Sequence, residues 1–124
     1  MILRLAELND APALLEIYRP YVEKTTVSFE TEVPTLKEFQ GRIREYSRIY
    51  PYLVAEEDGA ILGYAYAHAF HERAAYGWTV ETTIYIREDA RAKGIGRRLY
   101  GALLPLLKAQ GVKNACAVVT IPND

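Results

Sequence analysis

Arg91-Ala92-Lys93-Gly94-Ile95-Gly96-Arg97-Arg98 joins two kinds of local sequence. Upstream, Glu81-Thr82-Thr83-Ile84-Tyr85-Ile86 is β-branched and aromatic, the composition of an extended strand. Downstream, Ile95, Leu99, Ala102, Leu103, Leu106 and Leu107 recur at steps of three and four residues, the apolar stripe of a helix packed on a sheet. The spacing predicts a helix from Gly94 to Gln110 that stops at Gly111, with Pro105 expected to kink it and free the carbonyl of Gly101. The first N–H groups of such a helix lack partners inside it and carry the positive end of its dipole, so the turn can seat an anion. Gly94 and Gly96 remove side chains that would hold a pyrophosphate away, and Arg91, Lys93, Arg97 and Arg98 surround the turn with cations.

Spacing separates the phosphate loops this turn could be. A Walker loop needs Gly-Lys-Ser/Thr after a four-residue gap from its first glycine, and no such run exists. The dinucleotide fingerprint needs a third glycine three residues after the second, where Leu99 stands. What remains is Arg-x-x-Gly-x-Gly on a strand-to-helix turn. In this it resembles the GNAT superfamily of acetyl-CoA-dependent N-acetyltransferases, whose pyrophosphate loop has this form.

The rest of the composition suits a small phosphorylated ligand. The length of 124 residues predicts one domain with a sizeable core. Fifteen cations against sixteen anions give a net charge of −1, so no global basic field attracts nucleic acid or a membrane surface. The single cysteine, Cys116, permits no internal disulfide, and no apolar run approaches the roughly 20 residues of a membrane span. No His, Cys or carboxylate grouping has metal-ligand spacing, so no metal is expected. These features predict a soluble, cytoplasmic protein.

From the N-terminus, strand and helix signals alternate. Ile2-Leu3-Arg4-Leu5 reads as a short strand. Asn9 or Asp10 can cap a helix carrying Ala13, Leu14, Ile17 and Tyr18, and Pro20 is expected to interrupt it. The stretch from Thr25 to Glu30 reads as irregular. Thr35 and Glu38 have capping-box spacing ahead of a second helix, with Leu36, Phe39, Ile43 and Tyr46 as its stripe, ending before Pro51. Tyr52–Glu56 and Ile61–Tyr66 are strand-like and meet at Asp58-Gly59, residues a tight hairpin turn prefers. In the second arm, alternation puts Leu62, Tyr64, Tyr66, His68 and Phe70 on one face and Gly63, Ala65, Ala67 and Ala69 on the other. A last strand is predicted over Ala115 to Ile121.

The strand from Trp78 to Ile86 carries the chemistry. Alternation gives Trp78, Val80, Thr82, Ile84 and Ile86 an apolar face and leaves Thr79, Glu81, Thr83 and Tyr85 on a polar one. Glu81 is therefore either an ordinary glutamate on a wetted face or a desolvated carboxylate. Desolvation would raise its pKa toward the range where it accepts a proton from an ammonium.

A closer resemblance follows from Phe70-x-x-Arg73-x-Ala75-Tyr76-x-x-Thr79-Val80-Glu81-x-x-Ile84-Tyr85-Ile86, from Thr26-x-x-Phe29-Glu30, from Pro51-Tyr52-Leu53-Val54-Ala55-Glu56 and from Gly63-Tyr64-Ala65. These are similar to the phosphinothricin and methionine-sulfoximine N-acetyltransferase branch of the superfamily. The resemblance implies an α/β (α+β) fold, a mixed central sheet flanked by helices and opened into a V where acetyl-CoA enters. It implies Glu81 as general base. Backbone groups of Ile84, Tyr85 and Ile86 would pair with the pantetheine arm, and the loop Arg91, Ala92, Lys93, Gly94, Ile95, Gly96, Arg97, Arg98 would hold the pyrophosphate. Arg73 and Tyr76 would contact a substrate carboxylate, to which an arginine can donate two parallel hydrogen bonds. Phe29 and Glu30 would line the side-chain pocket.

Members of that branch continue past the fifth strand through another helix and two more strands, beginning with an Asn-x-x-Ser run that Asn123 opens here. The expectation is a single domain over 1–124 that lacks the last helix, the last two strands and the proposed general acid, and that self-associates as a homodimer or more. Cys116, in Ala-Cys-Ala-Val-Val, reads as a small buried hydrophobe, and His68 as packed or lining the cleft. The implied activity is acetyl transfer from acetyl-CoA to a small amino-acid-like amine. A non-catalytic CoA-binding domain, or an acetyltransferase for another amine or a protein N-terminus, are the alternatives.

Overall fold

A computed structural model describes residues 1–23, 33–69, 79–90, 94–110 and 114–119 of the chain. Its central feature is the turn at Asp58-Gly59, where both residues take positive φ, 52° and 80°. That geometry matches the right-handed twist of the strands it joins, so the chain reverses in two residues. The hairpin arms are β2 (Tyr52–Glu57) and β3 (Ala60–Ala69). With β1 (Ile2–Leu5), β4 (Thr79–Ile86) and β5 (Asn114–Val119) they form a five-stranded sheet in the order β1-β2-β3-β4-β5. The first three pairings are antiparallel and β4 pairs with β5 in parallel, which makes the sheet mixed as expected.

Three helices cover the sheet: α1 (Ala11–Glu23), α2 (Leu36–Ser47) and α3 (Ile95–Ala109). On one face, Ile95, Leu99, Leu103 and Leu107 of α3 pack on Leu53, Ala55, Ala65, Ala67, Ile84 and Ile86. The small residues of β3 let the helix approach, and each buried aliphatic side chain of α3 contributes about 1.5–3 kcal/mol. On the other face, Leu14, Tyr18 and Tyr21 of α1 and Phe39 and Ile43 of α2 cover Tyr52, Val54, Tyr64 and Tyr85. The capping box of α2 forms as its spacing predicts: Glu38 N–H donates to Thr35 Oγ1 at 3.1 Å, and Thr35 N–H donates to Glu38 Oε1 at 2.9 Å.

Four expectations are corrected. Pro20 does not interrupt α1, which runs on to Glu23. A proline inside a helix costs about 3 kcal/mol, but the turn that contains it buries Tyr18 and Tyr21 against Tyr85. Ala13 is exposed, and Ala11 and Leu15 take its place in the core. Leu36 and Leu106 are also exposed, because each lies on the solvent flank of its helix's apolar stripe. Leu62 changes face. The register steps from Ala55↔Gly63 to Glu56↔Ile61, so β3 carries one extra residue there, a β-bulge. The bulge turns Leu62 toward α3 with Ala65 and Ala67, while Tyr64 and Tyr66 stay under α1 and α2. Of the two readings open for the polar face of β4, the covered one holds at Thr83 and Tyr85, which are buried, Tyr85 under α1.

Candidate functional site

The C-terminal end of β4 and the start of α3 meet in one buried cluster. Ile84 and Ile86 of β4, Ala90 of the short 3₁₀ turn Glu88–Ala90, and Ile95 of α3 belong to it. Apolar burial of these four side chains brings the helix N-terminus to the strand end, as the strand-to-helix pattern requires. A hydrogen bond on the same face, Thr82 Oγ1 to Tyr100 Oη at 3.0 Å, ties the first turns of α3 to the middle of β4.

Gly94 is the N-cap of α3, at φ 73° in the left-handed region, and offers no side chain to cap the first turn. It sits in open space on its Cβ side, so the glycine serves backbone conformation rather than packing. Gly96 is buried in the first turn, and Arg97 and Arg98 are exposed beside it. This arrangement suits a pyrophosphate: a helix N-terminus led by a glycine, with cations flanking its first turn. Arg91, Ala92 and Lys93 lie outside the described residues.

At the strand end the backbone is fixed on three sides. Gly63 pairs with Ile86, and a Cβ at position 63 would lie 2.7 Å from Ile86 Cδ1 and 3.0 Å from the Tyr85 carbonyl oxygen. Arg87 N–H donates to the Leu62 carbonyl at 2.8 Å. The Tyr21 hydroxyl donates to the Ile86 carbonyl at 2.6 Å. Among the described residues the register with β5 runs from Thr79↔Asn114 to Ile84↔Val119.

Glu81 stands in mid-strand, paired in register with His68 on β3 and Cys116 on β5. Farther along the strand Thr83 and Tyr85 are buried, Tyr85 on the face covered by α1 and α2. That face is a tyrosine layer. Tyr52, Tyr64 and Tyr66 stack with ring centroids 4.9–6.2 Å apart, and Tyr46 stacks on Tyr66 at 5.0 Å. Burial pushes the hydroxyls of Tyr52, Tyr64 and Tyr66 well above the usual tyrosine range, so they stay protonated at neutral pH. A small cavity of about 20 Å³ lies among them, with Arg42 on its wall. The larger depression near Leu5, Ile49, Tyr50, Leu106 and Gln110 lies at the opposite, C-terminal end of α3.

The sequence reading thus finds Glu81, Ile84, Tyr85, Ile86, Gly94, Ile95, Gly96, Arg97 and Arg98 on connected elements. Phe29, Glu30, Arg73 and Tyr76 lie outside the described residues. What sequence reasoning missed is the support: Tyr21, Gly63 and Tyr100. Tyr21 stands three residues after Tyr18 on one helix face, a spacing that marks burial but not the partner of its hydroxyl.

Comparison with known proteins gives a consistent picture. Residues 3–124 match the acetyltransferase (GNAT) domain family. The chain is 40% identical over 122 residues to a phosphinothricin N-acetyltransferase of Streptomyces viridochromogenes, covering 98% of this chain and 67% of that protein. It is 35% identical over 126 residues to an L-methionine sulfoximine/L-methionine sulfone acetyltransferase of Pseudomonas aeruginosa, covering 98% and 72%. The crystal structure of a GNAT superfamily phosphinothricin acetyltransferase from Sinorhizobium meliloti, in complex with AcCoA, superposes with a TM-score of 0.81 at 39% identity, covering 87% of this chain and 60% of that one. The chain spans about half to three quarters of the length of such relatives, from 52% for one from Alcaligenes faecalis to 74% for one from Bacillus subtilis.

Proposed function

Because this chain belongs to the GNAT acetyltransferase family, we propose that it moves an acetyl group from acetyl-CoA to the primary amine of a small amino-acid-like substrate, of the phosphinothricin or methionine sulfoximine type. The observation that carries the reading is the meeting of the end of β4 with the glycine-led N-terminus of α3. The pyrophosphate would bind the first turn of α3, with Arg97 and Arg98 supplying charge. The pantetheine arm would run along the backbone of Ile84, Tyr85 and Ile86.

In the proposed step Glu81, directly or through one water, takes a proton from the substrate ammonium. The freed nitrogen lone pair attacks the thioester carbonyl to form the C–N bond, the attacking nitrogen loses its second proton to solvent as the C–S bond breaks, and the CoA thiolate leaves to be protonated by an acid outside the described residues. No acyl-enzyme forms, so the reaction needs both substrates bound together. The burial of Thr83 and Tyr85 supports a largely desolvated setting for their face of β4. Arg73 and Tyr76 are proposed to hold the substrate carboxylate, and Phe29 and Glu30 its side chain.

An assay of CoA release with phosphinothricin, methionine sulfoximine and a panel of amino acids tests this directly. We expect turnover with one or more of these amines. We also expect Glu81→Gln to keep its affinity for acetyl-CoA while losing on the order of 10²–10⁴ in rate at neutral pH. Binding of acetyl-CoA without turnover on any amine would favour a CoA-binding domain. Undiminished turnover in Glu81→Gln would move the proton transfer to another group.

A further inference from the structure

Tyr52 of β2 and Tyr64 of β3 lie in the middle of the aromatic layer, 3% and 1% exposed. Their rings are parallel to within 15° with centroids 5.9 Å apart, and Tyr66 stacks beside both. Packing accounts for the rings but not for the hydroxyls they carry. Neither the Tyr52 nor the Tyr64 hydroxyl meets a hydrogen-bond partner among the described residues. Elsewhere in the same layer the hydroxyls are served: Tyr66 bonds to Thr83, and Tyr21 donates to the Ile86 carbonyl. A hydroxyl buried without a partner forfeits its bonds to water and gains none, which is why buried polar groups in folded proteins are satisfied in the large majority.

Both tyrosines line one small cavity, together with Tyr18 of α1 and Arg42 and Tyr46 of α2. Its volume of about 20 Å³ exceeds the roughly 10–15 Å³ that a single water needs, and is far too small for an amino acid or a cofactor. Parallel rings on one face of a sheet carry their hydroxyls at a separation close to that of the rings. At 5.9 Å the two cannot bond each other at the ~2.8 Å of an O–H···O contact, but two such contacts laid end to end through one oxygen span about 5.6 Å. A further polar neighbour is at hand, since the positive charge of Arg42 acts on the Tyr52 and Tyr66 hydroxyls against the rise that burial imposes. A tyrosine hydroxyl both donates and accepts. A neutral guest that does the same can satisfy two of them and a third neighbour at once, whereas a halide can only accept.

We propose that this cavity is a site for one buried water molecule, which bridges the hydroxyls of Tyr52 and Tyr64 beneath α2. The site goes beyond the acetyl-transfer reading and does not depend on it. The bridge links β2 to β3 through side chains on their helix-covered face, where Tyr52 pairs in register with Tyr66 and Val54 with Tyr64. Because one water serves both hydroxyls, the contribution of each tyrosine to stability depends on the other being present.

A crystal structure of the full chain should show a water oxygen about 2.5–3.0 Å from both hydroxyls. In solution, NMR cross-peaks from the Tyr52 and Tyr64 rings to water should carry the sign of a water that tumbles with the protein. Tyr52→Phe and Tyr64→Phe each leave the water one partner short, and each should lower the folding equilibrium constant about tenfold in urea unfolding. The double variant makes the cavity apolar and dry, so its loss should fall short of the product of the two single losses by about fivefold or more. Tyr52→Phe combined with Tyr21→Phe, whose hydroxyl bonds elsewhere, should instead give the full product. An empty cavity in the crystal, or single losses that multiply in the Tyr52 and Tyr64 double variant, would overturn the proposal. So would a halide in the cavity, seen as an anomalous peak in crystals grown in bromide. Should the variants not fold, the crystal and the water cross-peaks of the wild-type chain decide between an occupied and an empty site.

Discussion

Asp10 is 8% exposed, yet each of its carboxylate oxygens is engaged. It accepts from both terminal nitrogens of Arg4, each at 2.9 Å, and from the Glu7 backbone N–H at 2.7 Å. Arg4 also donates from Nε to Glu56 at 2.6 Å, so one guanidinium joins β1, the turn before α1 and β2. These bonds to Arg4 hold the Asp10 carboxyl below the usual carboxylate range, against the opposing effect of its own burial. A depressed folded pKa contributes stability that is present above the unfolded value, near 3.9, and is lost as pH falls through the folded one. Arg4→Ala leaves Asp10 buried without its partner and should cost about 2–3 kcal/mol at pH 7. Urea unfolding of both proteins at pH 7 and pH 3 is the check. The difference between them should shrink at the lower pH, and a difference that stayed constant would remove Asp10 from the account.

At the scale of elements, α3 is where the fold and the candidate site share a residue. Gly94 takes φ 73° with nothing within 4 Å of where a Cβ would be, so an added methyl group meets strain but no clash. Gly94→Ala should therefore cost about 1–2 kcal/mol through the left-handed backbone alone. Gly94→Asn should cost less, because asparagine tolerates that region. Denaturant midpoints for the two variants decide this, and equal stability of glycine and alanine forms would mean that the cap conformation is not kept in solution. If the turn also seats pyrophosphate, both variants should bind CoA more weakly than wild type, in a salt-sensitive way.

For the molecule as a whole, the aromatic layer between α1, α2 and the sheet sets an upper limit on the pH range of the fold. Tyr52 and Tyr64 are pushed far up by burial, and Tyr66 follows for the same reason. An acid whose folded pKa is raised contributes stability that is complete below its unfolded value, near 10, and is lost as pH climbs beyond it. The protein should lose stability steeply above pH 10. Ultraviolet titration at 295 nm should find at least three of the ten tyrosines un-ionised in the native protein at pH 11. All ten ionising together near pH 10 without unfolding would contradict the burial of this layer.

Local pattern alone determined the hairpin at Asp58-Gly59, the capping box at Thr35 and Glu38, the stripe of α3 and the glycine turn that begins it. Each of these rests on residues a few positions apart, whose conformational preferences act before any tertiary contact forms. The resemblance carried by Arg73, Tyr76, Glu81 and their neighbours added the family, which the comparisons bear out. Only tertiary structure decided that α1 runs through Pro20, that a bulge sends Leu62 to the other face, and that Thr83 and Tyr85 of β4 are covered. In each case packing between distant segments outweighed a local preference: a proline's cost against the burial of Tyr18 and Tyr21, strict alternation against an extra residue in β3. The same holds for the hydroxyl of Tyr21. Its spacing from Tyr18 says that it is buried, but nothing near it in sequence says that it meets the carbonyl of Ile86, because that distance of 65 residues is closed only by the fold.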